Sequence, residues 1–196
     1  MAHVPVAVLV FSGKRKSGKD YVTEKLLQRI GNEKCCIMRL SAPLKGQYAK
    51  EHQLDITRLL DASEYKERYR PDMIRWGEEK RNADPGYFCR IVTSGEGNDK
   101  KVWIISDARR LTDIAYFQQN YPSITRTVRV EADEDVRKAR GFVFQSGVDD
   151  AESECGLDGV LDWDYIFKNN GNINLFETGL DTIVDDVQKK LDVANS

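Results

Sequence analysis

Five short runs of apolar and β-branched residues recur along the chain, and each predicts a β-strand. The clearest run is 6–11, Val-Ala-Val-Leu-Val-Phe. A continuous apolar run of this length is typical of a central strand in a parallel sheet, buried on both faces. The predicted strands cover 6–11, 35–40, 102–107, 125–130 and 165–168.

Between these runs, apolar residues recur every three or four positions, which predicts helices. In 19–30, Val22, Leu26 and Ile30 fall on one helical face. Pro71 is predicted to begin a helix of its own, because proline favours the first turn. The predicted helices cover 19–30, 43–52, 61–69, 71–81, 84–93, 111–120, 133–140 and 175–193. Strands that alternate with helices predict an α/β fold with a parallel sheet.

The string Gly-Lys-Arg-Lys-Ser-Gly-Lys-Asp directly follows the first predicted strand and has the G-x-x-x-x-G-K spacing of a phosphate-binding loop (P-loop). Glycines let the backbone curl so that its N–H groups face phosphate oxygens, and the helix that follows adds its positive end. The loop lysine is expected to reach the β- and γ-phosphates of ATP. The alternative is a basic surface turn. The candidate nucleotide-binding residues here are Gly13, Lys14, Arg15, Lys16, Ser17, Gly18, Lys19 and Asp20.

Asp20 stands where serine or threonine usually binds Mg²⁺ in such loops. A carboxylate can also hold Mg²⁺, directly or through water. The alternative is that Asp20 only complements the positive end of the helix. Asp107 ends the third predicted strand, so it is a second candidate for organising Mg²⁺.

Arginines follow the strand ends and predict a site for further anions. Arg109 and Arg110 come directly after Asp107, and arginine is well suited to clamping phosphate oxygens. The alternative is an ion pair between Asp107 and one of these arginines. Arg137 and Arg140 share one face of a short charged helix, which predicts a lid that closes over the transferring group. Their alternative role is to complement the carboxyl end of that helix.

Three other regions carry weaker candidates. Lys45, Lys66 and Arg70 lie in the helical insert between the second and third strands, and each alone is typical of a solvated surface. Arg81 ends a predicted helix, so the helix-end alternative applies to it as well. Asn169 and Asn170 follow the fifth strand, where they predict either part of an adenine pocket or a plain Asn-Gly turn. The acidic segment 148–154 is expected to be a solvated lid hinge.

Composition excludes some function classes. The 196 residues carry a formal net charge of −2, so no global basic signal for nucleic acid is present. The four cysteines do not form a C-x-x-C pair, which argues against structural zinc and predicts reduced thiols. The first residues read as a strand rather than a signal peptide, and no apolar stretch is long enough to cross a membrane.

Four strings, 11–20, 72–81, 106–110 and 148–158, resemble the animal-type phosphomevalonate kinase family and lie in the same order. The resemblance implies a P-loop fold of the nucleoside-monophosphate-kinase type, with a central five-stranded parallel sheet. It implies that ATP and Mg²⁺ convert 5-phosphomevalonate to mevalonate 5-diphosphate, in the mevalonate route to isoprenoids and sterols. Aspartate at position 20 is itself the family's pattern.

The resemblance also assigns residues. Family ATP contacts correspond to 14–20, Arg140, Asn169 and Asn170 in this chain. Family basic residues needed for activity correspond to Lys19, Arg81, Arg109, Arg110, Arg129, Arg137 and Arg140. Weaker acceptor-side matches are Lys45, Lys66 and Arg70.

We expect one kinase domain over 1–196, with an acceptor region at about 43–94 and a lid at about 132–150. A monomer is expected, binding small molecules and neither nucleic acid nor membrane. Because the chain ends Val-Ala-Asn-Ser, without an S-K-L-type peroxisomal signal, the cytosol is the expected compartment.

Two alternatives stay open from the residues alone. A nucleoside or deoxynucleoside monophosphate kinase would share the loop and the arginines. A nucleotide-dependent switch would share the loop, although the chain has no Asn-Lys-x-Asp guanine motif. In a kinase the acceptor oxygen belongs to an ionised phosphate, so positioning and charge neutralisation rather than a strong base are expected to supply catalysis.

Overall fold

The computed structural model describes residues 4–60 and 64–194. Strands and helices alternate along the chain as the sequence predicts. The strands are β1 Ala7–Ser12, β2 Cys35–Met38, β3 Val102–Ile105, β4 Thr125–Glu131 and β5 Tyr165–Lys168. The helices are α1 Lys19–Ile30, α2 Ser41–Glu51, α3 Ile56–Leu60, α4 Glu64–Ala83, α5 Tyr87–Thr93, α6 Leu111–Asn120, α7 Glu134–Ala139, α8 Glu152–Cys155 and α9 Ile173–Ala194.

The five strands form one sheet in the order β2-β3-β1-β4-β5, and every neighbouring pair is parallel. The predicted parallel α/β sheet is therefore confirmed. β1 lies at the centre and is completely buried, which explains its continuous apolar run. Because all strands run the same way, their carboxyl ends lie at one edge, where ligands of open parallel sheets bind.

Helices α1 and α9 cover one face of this sheet. Alternate β1 residues Ala7, Leu9 and Phe11 point to that face and pack with apolar residues of both helices. The buried apolar residues of α1 recur at every fourth position, and those of α9 recur at every third or fourth position. The buried helix residues are Val22, Leu26, Ile30, Phe176, Leu180, Ile183, Val187 and Leu191. Each buried side chain of this size stabilises the fold by about 1.5–3 kcal/mol, so this face anchors α1 firmly behind the loop.

The chain divides into two compact units. The sheet unit comprises the residues up to Met38 and from Gly97 onward, and the helical unit comprises Arg39–Glu96. The helical unit contains α2 to α5 and coincides in sequence with the predicted acceptor region. Its own core consists of Tyr48, Ala49, Leu59, Met73, Trp76 and Phe88.

The prediction that Pro71 begins a helix is wrong, because α4 runs through it from Glu64 to Ala83. The start predicted at 61 lies outside the described residues. Tyr65, Tyr69, Met73 and Trp76 all pack in the core of the helical unit. Their spacing of three to four residues is that of one helical face, and it continues across the proline. Packing therefore keeps the helix continuous, although the proline removes one hydrogen bond to the carbonyl of Glu67.

Other boundaries differ by short segments. Helix α5 begins at Tyr87 instead of 84, because Asp84 Oδ1 accepts a hydrogen bond from Gly86 N at 3.2 Å in the turn before it. No helix was predicted for the segments that form the short helices α3 and α8. They are too short for a periodic signal in the sequence.

All four cysteines are free thiols, as expected. Burial raises the pKa of Cys35 and raises the pKa of Cys36 to about 11, so both stay protonated. Among the described residues, each helix is too short or too polar to cross a lipid bilayer.

We expect Pro71→Ala to stabilise the helical unit by about 1–2 kcal/mol. Alanine restores the missing hydrogen bond, and this gain exceeds the extra freedom of the unfolded chain. Urea unfolding followed by circular dichroism measures the change. The control is Ile74→Ala, an exposed position on the same helix, for which we expect a change within about 0.5 kcal/mol. A loss of stability in Pro71→Ala would contradict this account of α4.

Candidate active site

The loop between β1 and α1 is shaped by its two glycines. A Cβ atom on Gly13 would lie 2.7 Å from the carbonyl oxygen of Val130 and 2.8 Å from Ser17 Oγ, so only glycine fits there. Gly18 has φ +84° and would also meet the side chain of Asn169. Lys16 has a positive φ of 63°, which tightens the turn further. The backbone curls as the spacing of the motif predicts.

Residues distant in sequence hold the carbonyl groups of this loop. Asn169 Nδ2 donates a hydrogen bond to Ser17 O at 2.9 Å. Arg140 Nη1 donates to the same oxygen at 3.1 Å, and its Nη2 donates to Asn169 O at 2.8 Å. Arg137 Nε donates to Arg15 O at 2.8 Å. The loop conformation is thus fixed by the protein's own contacts before any ligand binds.

The turn after β5 is more than a plain Asn-Gly turn. Asn169 is buried and braces the loop, while Asn170 Oδ1 accepts a hydrogen bond from Asp133 N at 2.8 Å. Asp133 directly precedes α7, the helix that carries Arg137. Gly141 follows Arg140 with φ +81°, a conformation that favours glycine at the end of a helix. The predicted lid and the turn after β5 therefore meet at the loop.

Lys19 lies at the carboxyl end of β3. Its Nζ donates hydrogen bonds to the backbone oxygen of Ser106 and to Asp20 Oδ1, the latter at 2.9 Å. Only 12% of the Lys19 side chain is exposed. The ammonium group is therefore held close to the strand end that also carries Asp107 and Arg109.

Two cavities adjoin the loop. One cavity has a volume of about 320 Å³ and is bordered by loop residues and by Arg109. Its lining residues are Gly13, Lys14, Arg15, Lys16, Gly18, Lys19, Asp20, Tyr21 and Arg109. The other, of about 280 Å³, is lined by Lys14, Ser17, Arg129, Val130, Glu131, Ala132, Asp133 and Arg137. The Oγ atom of Ser17 is buried and has no hydrogen-bond partner among the described residues. Both cavities are rich in cations and suit phosphate groups.

The acidic segment does not behave as the solvated hinge that was expected. Asp149 and Glu154 are buried, each with 6% of its side chain exposed. Asp149 Oδ2 accepts a hydrogen bond from Arg15 Nη1 at 2.9 Å. Glu154 pairs with the guanidinium of Arg109 and accepts a hydrogen bond from Arg15 N at 3.2 Å. The segment therefore packs against the cationic loop.

Asp158 joins the loop to β4. It accepts from Lys14 Nζ at 2.5 Å and from Arg129 Nη2 at 2.8 Å. Burial alone would raise the pKa of Asp158, but hydrogen bonds and charge from Lys14 and Arg129 outweigh it and hold the pKa below its usual range. Arg129 also donates to Ser12 Oγ at 3.0 Å. The buried arginine is thus fixed at the carboxyl end of the sheet.

Arg109 and Arg110 lie where β3 leads into α6. Asp113 Oδ2 accepts hydrogen bonds from the backbone N–H groups of both, at 3.0 and 3.1 Å. Asp113 is buried and occupies the third position of α6, a typical capping position. The Arg110 guanidinium lies 3.4 Å from the exposed carboxylate of Glu152. The turn is therefore rigid at its backbone, while its two guanidinium groups meet the acidic segment.

The two aspartates proposed for Mg²⁺ differ in environment. The Asp20 side chain is 59% exposed, whereas Asp107 is only 9% exposed. No group of three or more potential metal-ligating residues occurs among the described residues. One or two carboxylates fit an ion whose remaining ligands are phosphate oxygens and water, which is how proteins usually bind Mg²⁺ with a nucleotide.

The acceptor-side candidates lie in the helical unit. Arg70 pairs with Glu67 at 3.1 Å, and the Arg81 guanidinium lies 4.6 Å from the centre of the Phe88 ring. Lys45 belongs to α2. The side chain of Lys66 is outside the described part of the structure.

Sequence reasoning missed four acidic residues at the site. Asp113 could have been recognised from the sequence, because it occupies the third position of a helix, where acidic residues typically cap the backbone N–H groups. Asp149, Glu154 and Asp158 lie in the string 148–158 that carries part of the family resemblance, but no local pattern indicated their partners, which lie more than 25 residues away.

Comparisons of the sequence with known proteins identify its family. The sequence profile of the phosphomevalonate kinase family matches residues 11–123, more than half of the chain. A phosphomevalonate kinase from Drosophila melanogaster is 39% identical over 185 residues, covering 92% of this chain and 96% of the relative.

Two solved structures were compared with this chain by superposition. A protein from Thermus thermophilus superimposes with a TM-score of 0.54 at 14% identity, covering 94% of this chain and 98% of that one. A shikimate kinase from Bacteroides thetaiotaomicron gives a TM-score of 0.48 at 14% identity, covering 93% and 98%. The first likeness shows that this fold occurs in a solved protein, and the parallel sheet with its glycine loop after β1 has the predicted P-loop arrangement.

We expect Asn169→Asp to lower stability by about 1–3 kcal/mol. The substitution replaces the Nδ2 donor by an oxygen facing Ser17 O, so a buried hydrogen bond is lost and two acceptors oppose each other. The matched control is Asn170→Asp, in which the oxygen that accepts from Asp133 N is retained. Thermal unfolding of both variants gives the comparison. Equal melting temperatures for the two variants would show that Asn169 does not brace the loop.

Proposed function

The chain belongs to the phosphomevalonate kinase family, and we propose that it transfers the γ-phosphoryl group of ATP to (R)-5-phosphomevalonate. The products are mevalonate 5-diphosphate and ADP. The observation that carries this proposal is the braced, cationic loop at the carboxyl end of β1, in a chain of this family. The loop supports phosphoryl transfer, and family membership supports the choice of acceptor.

The loop would hold the β- and γ-phosphates of ATP. Lys14, Arg15, Lys16 and Lys19 stand within seven residues, so they offer several positive charges to one small region. An oxygen of the acceptor phosphate attacks the γ-phosphorus, and the bond to the oxygen that bridges the β- and γ-phosphates breaks. Because the attacking oxygen is already ionised, positioning and charge neutralisation supply catalysis.

Mg²⁺ is part of this proposal. Asp20 and Asp107 would hold it together with phosphate oxygens of the nucleotide. Bound there, the ion would neutralise charge on the β- and γ-phosphates. Asp20 already contacts the Lys19 ammonium, so the carboxylate lies next to the group that reaches the same phosphates.

Arg137, Arg140, Asn169 and Asn170 would form the nucleotide side of the site. Both arginines contact loop carbonyls, and the asparagines join the loop to the start of α7. Closure of this segment over the γ-phosphoryl group would exclude water, which otherwise competes with the acceptor.

The acceptor needs cations of its own. Arg109, Arg110 and Arg129, at the carboxyl ends of β3 and β4, are proposed to bind it, and Arg109, which lines the loop cavity, is also proposed to contact the phosphates of ATP. Further residues proposed to bind the acceptor are Lys45, Lys66, Arg70 and Arg81. The stacking of Arg81 on Phe88 restricts its guanidinium, which lowers the entropy lost when it binds an anion.

The product is a precursor for isoprenoids and sterols, so we place the enzyme in the mevalonate pathway. A cytosolic monomer is the proposed working form. A nucleoside monophosphate kinase of the same fold is the second candidate, favoured by the fold alone and not by family membership.

A coupled assay of ADP release with ATP and Mg²⁺ tests this function. We expect turnover with 5-phosphomevalonate and none with nucleoside monophosphates, together with loss of turnover when Mg²⁺ is omitted. Lys19→Met should lower kcat by about 100- to 1,000-fold, because one charge that stabilises the transition state is lost. Lys25→Met, an α1 lysine outside both loop cavities, is the control for a changed lysine on this helix.

Each outcome of that assay has a distinct meaning. Turnover with a nucleotide acceptor would leave the kinase fold intact and overturn the proposed substrate. ATP binding without turnover on any acceptor would favour a nucleotide-dependent switch. Full activity without Mg²⁺ would remove the metal from the proposal.

Substitution of Arg81 tests acceptor recognition. We expect Arg81→Gln to raise KM for phosphomevalonate by about 10-fold or more, since a charge-assisted hydrogen bond contributes about 1.5–3 kcal/mol. KM for ATP should change less than about threefold. Arg75→Gln is the control, because Arg75 is an exposed arginine on the same helix that pairs with Asp72. Equal effects on the two substrates would contradict a role for Arg81 in acceptor binding.

A further inference from the structure

Glu154 connects two parts of the site that are far apart in sequence. Its Oε1 accepts from the guanidinium of Arg109, and its Oε2 accepts a hydrogen bond from the backbone N–H of Arg15 at 3.2 Å. Arg109 Nη1 also donates to the backbone oxygen of Ser153 at 2.9 Å. One carboxylate and one adjacent carbonyl therefore hold both the loop and the arginine after β3.

The side chain of Glu154 is largely buried, so its charge has little access to water. Only 6% of the Glu154 side chain is exposed, whereas 40% of the Arg109 side chain is. A buried charge needs a partner, because water no longer solvates it. Arg109 supplies the opposite charge from a position where part of its surface still faces solvent. The pair thus fixes one side of Arg109 and leaves its other side accessible.

The Arg109 side chain also contributes to the cavity beside the loop. Arg109 lines the cavity of about 320 Å³ together with loop residues, and Glu154 is not among the residues that line it. Glu154 therefore reaches Arg109 without lining this cavity, and its other oxygen is held by the Arg15 N–H. This arrangement is that of a group that orients the arginine.

We propose that Glu154 is a positioning residue for phosphoryl transfer, which acts by holding Arg109 against the first half of the phosphate loop. This inference rests on the proposed function. Small displacements of a catalytic group are costly, and about 1 Å can lower the rate by about 100-fold. The carboxylate has two acceptor oxygens, and each is used by a different donor.

Glutamine at this position has the same shape but cannot make both contacts. It offers one acceptor oxygen and one NH₂ donor, so it opposes a donor to either Arg109 or the Arg15 N–H. Glu154→Gln should therefore lose one of the two contacts and, because it also removes the negative charge, hold the arginine less firmly. The matched control is Glu177→Gln, which also removes a carboxylate paired with an arginine, Arg29, at the far end of α1.

The first experiment is a double-mutant cycle on kcat with ATP and phosphomevalonate. We expect Glu154→Gln to lower kcat by about 10- to 100-fold and Glu177→Gln to lower it less than about twofold. In an Arg109→Gln background, Glu154→Gln should lower kcat by less than about twofold further, because the group it positions is absent. Effects that multiply would show that the two residues act independently and would overturn the proposal.

The second experiment is calorimetric ATP binding without acceptor, so it does not depend on the substrate. We expect Glu154→Gln to weaken binding by about three- to tenfold, and to have no further effect in the Arg109→Gln background. Tighter ATP binding would mean that the carboxylate competes with phosphate, and this also overturns the proposal. If wild-type protein does not turn over phosphomevalonate, the proposed function fails while this binding cycle still decides the role of Glu154.

Circular dichroism establishes that the variants fold. If Glu154→Gln does not fold, Glu154→Asp replaces it, because it keeps the charge but is too short to reach both donors. Positioning is supported if Glu154→Asp has an intermediate kcat and if the same substitution causes no further change of kcat in the Arg109→Gln background. Wild-type kcat in Glu154→Asp would contradict it.

Discussion

Like charges are crowded around the loop between Gly13 and Lys19, and the remaining structure of the site depends on balancing them. Cations that must meet a phosphate repel one another in its absence. Here carboxylates of the segment after α7 offset that repulsion. Asp149 pairs with Arg15, Asp158 with Lys14 and Arg129, and Glu154 with Arg109. The site can thus keep its cations together before a ligand supplies negative charge.

The backbone of the loop is also held in place by contacts within the protein. The loop carbonyls of Arg15 and Ser17 are bound by Arg137, Arg140 and Asn169. These partners come from α7 and from the turn after β5, so the sheet unit has to fold before the loop is fixed. A site that is rigid in advance loses less entropy on binding and reorganises less during the reaction.

Much of the fold was determined by the sequence. The run 6–11, the glycine loop and the apolar face of α1 predict a strand, a turn and a helix from local chemistry alone, and all three are present. The spacing of Gly13 and Gly18 also predicts the phosphate loop, because no larger residue fits the curled backbone. Substrate identity came only from family resemblance, since composition and periodicity carry no information about the acceptor.

Only the tertiary structure decided which charges meet. Local pattern could not show that α4 continues through Pro71, because packing of Tyr69 and Met73 on one core overrides the preference of proline. Nor could it show that the acidic segment is an ion-pairing partner of the loop, because Asp149 and Arg15 pair across 134 residues. Helix and strand signals act over a few residues, whereas an ion pair depends on where the whole chain places its two ends.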